Sequence, residues 1–134
     1  MTKVNIDLTS KIVQEDDSET FNQQVEGEVK IDGETIRISY LENGEIPVKM
    51  LLKGNELIIR RGVDSNNYSL MKFNVDKRKD CRYVVTGRQM DFESVTKTLE
   101  YDEQNGHFKK LHVEYDLFSG LYLIGNYTVT LIFT

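Results

Sequence analysis

One cation and a set of phenols are the residues of this chain best placed to do chemistry. Arg61 falls in phase with Tyr40, Tyr83 and Tyr115, and with Tyr127, when each surrounding stretch is read as alternating sequence. Residues that share such a phase share one face of a sheet. A guanidinium gathered with hydroxyls against aliphatic neighbours suits a small amphipathic or acidic ligand. The same residues also suit a filled core, with phenol hydroxyls at its rim and Arg61 capping one end. The candidate ligand-binding residues are therefore Arg61, Tyr40, Tyr83 and Tyr115.

Other reactive side chains give weaker patterns. His107 and His112 are five apart on one candidate strand. An odd spacing sends them to opposite faces, so they do not share a metal. Cys81 is flanked by Arg82, with Lys79 two residues before it. Neighbouring cations would lower its pKa, whereas a buried thiol behaves as a small inert hydrophobe, which is the preferred reading. The acidic run Glu15-Asp16-Asp17-Ser18-Glu19 lacks the alternating ligands and central glycine of a calcium loop. It reads as a solvated loop, with one helical turn at Ser18–Phe21. The basic run Lys77-Arg78-Lys79-Asp80-Cys81-Arg82 has few aromatic neighbours and reads as a charged loop. The sequence offers no catalytic set, no metal ligands and no cofactor motif.

Alternation of apolar and polar residues defines the elements that must position these side chains. Val4, Ile6 and Leu8 alternate with Lys3, Asn5, Asp7 and Thr9. Val25, Gly27, Val29 and Ile31 share one face, as do Ile36, Ile38 and Tyr40. Asp32-Gly33 between them reads as a two-residue type I′ turn. That turn pairs Ile31 with Glu34, Val29 with Ile36, Gly27 with Ile38, Val25 with Tyr40 and Glu28 with Arg37. Gly54-Asn55 reads as a second turn, pairing Lys53 with Glu56, Leu52 with Leu57 and Met50 with Ile59. There Val48 falls opposite Arg61, the first place where an apolar face meets a charge. Pro47, the single proline, stands at the start of a strand.

Further strands are expected over 67–75, 81–87, 91–101, 107–118 and 126–134, with a turn at Gln104-Asn105-Gly106. Phe92, Val95 and Leu99 also fit a helical spacing, so the stretch from Asp91 to Leu99 is helix or strand, its Val95, Thr96 and Thr98 favouring strand. Tyr127, Val129, Leu131 and Phe133 supply a last inner face. About eight to ten strands make an all-β chain. An antiparallel up-and-down barrel closing the first strand on the last leaves no exposed edges, and a sandwich is the alternative.

The chain has 134 residues, a single domain over 1–134, with a net charge of −5. That balance argues against nucleic acid or anionic membrane as partner. One cysteine, no apolar leader and no long apolar run point to a cytoplasmic protein.

Tyr83-Val84-Val85-Thr86-Gly87, Val95-Thr96-Lys97-Thr98-Leu99-Glu100-Tyr101, Val113-Glu114-Tyr115-Asp116-Leu117-Phe118 and Leu123-Ile124-Gly125-Asn126-Tyr127 follow one another in order. This pattern, with the Gly33 hairpin and Arg60-Arg61-Gly62, resembles the YwiB-like family of uncharacterised bacterial proteins. The resemblance implies a calycin- or lipocalin-like barrel and carries no established activity, catalytic residue or cofactor. The chain lacks the Gly-x-Trp signature of lipocalins, having no Trp, and lacks the C-terminal Arg-x-Tyr of cytosolic fatty-acid carriers. Taken together, the expectation is a non-enzymatic barrel that binds a small hydrophobic or amphipathic, anionic molecule. The alternatives are a protein-interaction module or homodimer, in which outward Val13, Leu51 and Ile58 form an apolar patch, and an enzyme with an unrecognised site.

Overall fold

Two-residue turns and period-two patterning dictate ten strands, each hydrogen-bonded to the next in sequence. The computed structural model describes residues 2–104 and 108–134. The strands are β1 (Thr2–Gln14), β2 (Asp17–Asp32), β3 (Thr35–Glu42), β4 (Ile46–Lys53), β5 (Glu56–Asp64), β6 (Asn67–Asn74), β7 (Lys79–Val85), β8 (Arg88–Gln104), β9 (Phe108–Ser119) and β10 (Tyr122–Phe133). β1 pairs with β10 antiparallel, from Ile6 with Phe133 to Val13 with Asn126, so the sheet closes as an up-and-down barrel. Along this ladder, closure satisfies backbone groups that a sandwich would leave at its edges. The turn expected at Gln104-Asn105-Gly106 and the side chain of His107 lie outside the described residues.

The Gly54-Asn55 hairpin has the expected register, including Val48 opposite Arg61. The Gly33 hairpin does not. Ile31 pairs with Ile36, Val29 with Ile38 and Gly27 with Tyr40, a shift of two positions. Arg37 therefore faces Lys30, and Glu28 faces Ser39. The reason is turn chemistry: Gly33, at φ +62°, is the first turn residue and Glu34 the second, the II′ arrangement. An even shift keeps every side chain on its expected face. Ile31 nevertheless ends half exposed, because it lies at the barrel end beside this turn.

The stretch from Asp91 to Leu99 is strand, inside β8. Its helical look comes from a bulge. Thr96 pairs with Tyr115 and Thr98 with Glu114, which leaves Lys97 unpaired. One extra residue switches the inward phase from Phe92, Ser94 and Thr96 to Leu99 and Tyr101. Residues 18–21, expected as a helical turn in a loop, are also strand: β1 and β2 pair without interruption up to Gln14 with Asp17.

Inward residues stack in hoops around the β2–β6 wall. Val29, Ile38, Met50, Ile59 and Met71 form one hoop, and Ile31, Ile36, Leu52, Leu57 and Phe73 the next. Across the barrel, Leu111, Val113, Leu117, Leu131 and Phe133 complete the core. Gly27 is required on its inner face, since a Cβ there would lie 2.6 Å from the Ser39 carbonyl oxygen and 2.7 Å from Ile6 Cδ1.

Candidate functional site

The next hoop toward the 43–45, 65–66 and 86–87 turns changes character. Gly27, Tyr40, Val48, Arg61, Ser69, Tyr83 and Met90 are successive cross-strand neighbours there. Three of the four candidate residues thus sit on a single ring at one mouth of the barrel. The sequence register of β4 and β5 anticipates the pairing of Val48 with Arg61. The ring itself comes from closure.

Arg61 is half exposed, and its Nε donates to the Glu42 carboxylate. Glu42 projects into the mouth from the last residue of β3 and pairs with Ile46. Among the described residues, nothing else accepts from the guanidinium, so its two terminal nitrogens keep their donors free. Tyr40 is 9% exposed. Its phenol is pushed up to about 12, by burial first and then by Glu42, with Arg61 pulling it down. Tyr83 is also raised, by burial first, with the Tyr127 and Cys81 side chains adding and Arg61 opposing. On the ring, Arg61 is one residue removed from each phenol, with Val48 between it and Tyr40 and Ser69 between it and Tyr83.

Tyr115 lies deeper. Its ring contacts Phe73, with centroids 4.4 Å apart, and stacks on Tyr127 at 5.2 Å. Burial holds its phenol far above the ordinary tyrosine range. Beside it, Thr96 Oγ1 is buried without a partner among the described residues. Tyr83 packs edge-on against Phe92 at 5.3 Å.

A pocket of about 260 Å³ opens at this mouth. Arg61, Ser69 and Tyr83 line its inner wall, while Ile46, Val63, Tyr68 and Val85 are among its apolar boundary. Tyr40 and Tyr115 do not line it; they form the packing behind. Gly62 shapes one side at φ +150°, where a Cβ would meet the Tyr68 backbone at 2.5 Å. Val63 is the extra residue of a bulge between Gly62 and Asp64 and is 60% exposed. Val85 and Met90, next to Tyr83 on β7 and β8, are further exposed apolar side chains at this mouth. Sequence reading missed Glu42 and the rim. Glu42 continues the even-numbered face of Ile36, Ile38 and Tyr40, and that phase was the available signal.

The remaining chemical candidates disperse. Cys81 is buried, and burial raises its thiol; it does not lower it as adjacent cations would. Arg82 leaves on the other face, toward Tyr68 Oη. The thiol and Ser94 serve the backbone of Lys72: Cys81 Sγ accepts from Lys72 N–H at 3.5 Å, and Ser94 Oγ donates to Lys72 C=O at 2.5 Å. These side chains bridge β6 where its ladder to β7 stops at Leu70. In the basic run, Arg78 pairs with Glu93 and Lys79 with Glu56. His112 faces outward and shares a 2.8 Å hydrogen bond with Thr130 Oγ1. Leu51 and Ile58 are cross-strand partners between Arg37 and Lys72, whereas Val13 pairs with Ser18 and Asn126, so the three do not make the expected patch. No group of three or more His, Cys, Asp or Glu converges among the described residues. Among the described residues, no helix is long and apolar enough to cross a membrane.

No curated protein matches the chain. The ywiB protein from Bacillus subtilis, known from a crystal structure, is similar to it with a TM-score of 0.81. The match covers 98% of this chain and 90% of that one at 13% sequence identity, so it is a likeness of fold. A family model described as a domain of unknown function, DUF1934, matches residues 6–131. That match spans most of the sequence, so the chain belongs to the DUF1934 family.

Proposed function

We propose that this protein is a non-enzymatic barrel whose mouth binds a small amphipathic molecule carrying an anionic group. The observation that carries the reading is the ring of Tyr40, Val48, Arg61, Ser69 and Tyr83 opening into a pocket with an apolar rim. The anion would take the free terminal donors of Arg61, and the apolar part would lie against Ile46, Val63, Tyr83 and Val85. Tyr40 and Tyr115 hold the wall behind. The hoops below are filled, so the ligand is small or enters by one end. A raised thiol and an outward His112 support binding over nucleophilic catalysis.

Native mass spectrometry of gently purified protein would reveal a retained ligand. A titration with decanoate then tests the site. Arg61→Met should weaken decanoate about ten-fold, the scale of one charge-assisted hydrogen bond. Glu42→Gln should strengthen it, by releasing the guanidinium and removing a like charge. Affinity unchanged by both substitutions would sink the assignment.

The exposed rim favours a second reading, association of two copies through this mouth. Sedimentation that shows a mass rising with concentration, abolished by Val63→Ser with Val85→Ser, would support that reading over the first.

A further inference from the structure

β2 outruns its neighbour. It pairs with β1 over thirteen positions, from Asp17 with Gln14 to Val29 with Thr2, yet with β3 only from Gly27 to Asp32. Residues 17–26 therefore have β1 on one side and no strand among the described residues on the other. That leaves an edge of ten residues, about 33 Å long at 3.3 Å per residue. Across the gap, Gln23 Nε2 reaches Asn43 Oδ1 at 3.5 Å, the far limit of a hydrogen bond.

Exposed edges are normally blunted by charged side chains, lysine above all, by proline or by a bulge. β8 also outruns its partner, since β7 ends its pairing at Ser94, and there the edge carries the Lys97 bulge. The β2 edge has no lysine, no proline and no bulge: its ladder to β1 runs unbroken, and no lysine, arginine or proline occurs between Gln14 and Val29. It carries acids instead: Asp17 and Glu19 toward one end, Glu26 at the other, and Phe21, half exposed, between them. Where β3 parts from β2, a surface groove of about 310 Å³ is lined by Glu26, Glu28, Ser39, Leu41 and Pro47, with Lys49 beside them.

We infer that residues 17–26 are a strand-addition site for an extended segment of another protein, with cationic residues flanking an apolar one. The unpaired backbone supplies the main-chain hydrogen bonds, and alternate side chains supply the selectivity. The cations would face Asp17, Glu19 and Glu26, and the apolar residue would cover Phe21. A second copy of this chain fits poorly. Antiparallel self-pairing about the middle of the segment puts Asp17 opposite Glu26, and like charges directly opposite are destabilising.

The probe is an acetylated ten-residue peptide with Lys at both ends and Val and Thr between, titrated into the 15N-labelled full chain. Expected are amide shifts confined to residues 17–26 and their β1 partners. A Glu-for-Lys peptide should bind at least ten-fold more weakly, and a peptide with a central proline should not bind. Asp17→Lys with Glu26→Lys, both at exposed positions, should weaken the Lys peptide at least ten-fold without changing the remaining amide spectrum. No shifts at millimolar peptide would overturn the inference. So would shifts elsewhere, or equal binding of the Glu peptide. Dimerisation through the same amides without peptide would also overturn it, by assigning the edge to a second copy.

Discussion

Tyr40 shows what a buried phenol beside a carboxylate does to stability. Its pKa in the folded barrel is about 12 against the ordinary 10.0, with burial the larger cause and Glu42 the second. The folded state therefore holds this proton more tightly than the unfolded chain. Its contribution is fully present below about pH 10 and is lost as pH rises through about 12. The two-unit difference corresponds to roughly 2–3 kcal/mol. Tyr115 and Tyr83 are shifted in the same direction and add to the alkaline loss. Urea denaturation between about pH 9 and 12 should show stability falling with pH, and Tyr40→Phe should flatten part of that slope. An unchanged slope would mean that Tyr40 is not held as described. The Arg61–Glu42 pair is too exposed to matter much for stability, about 0–1 kcal/mol. Its substitutions therefore report on binding more than on folding.

At the scale of the element, one residue decides where half a strand points. Lys97 is unpaired in the β8–β9 ladder, and its ammonium reaches Asp116 Oδ2 at 3.4 Å. Deleting Lys97 would restore a continuous ladder in which Leu99 and Tyr101 keep Val113 and Leu111 as partners and stay inward. Truncating the inward Leu99 to alanine, by contrast, should cost about 2–5 kcal/mol. Chemical denaturation measures both directly, and a Lys97 deletion that cost more than the Leu99 truncation would contradict the phase switch. The same bulge accounts for the ambiguity of the stretch from Asp91 to Leu99. Phe92 and Leu99 both face inward at an odd spacing, which regular alternation forbids and a helix allows. The hairpin at Gly33 teaches a related lesson. Asp32-Gly33 and Gly33-Glu34 are both two-residue candidates, and the hairpin takes the second because glycine alone supplies the positive φ, at the first turn position.

For the whole molecule, closure is the defining event. Asn5 and Thr134 exchange a pair of 2.9 Å backbone hydrogen bonds, extending the β1–β10 ladder to residues far apart in the chain. Such contacts form only after a large loop closes, so they belong to the global folding transition. Amides of the β1–β10 ladder should exchange hydrogen only through global unfolding, whereas half of those in residues 17–26, pointing away from β1, should exchange quickly. Uniform protection along β2 would show that the edge is already covered, and would undercut the strand-addition site as well.

The sequence by itself determined the class of fold, because period-two patterning and glycine turns act locally. It determined the inward faces of most strands, the Gly54-Asn55 register, and the shared phase of Arg61 with Tyr40 and Tyr83. Parity survives an even slip in register, which is why these faces stayed legible when the Gly33 hairpin moved by two. Tertiary structure decided what depends on pairs distant along the chain. It placed Arg61 beside Glu42 at a mouth, set Tyr115 behind the pocket, turned Cys81 and Ser94 into bridges for Lys72, and left β2 longer than β3. Those outcomes follow from stagger and closure, which fix where each strand ends against its neighbours, and no local pattern encodes that.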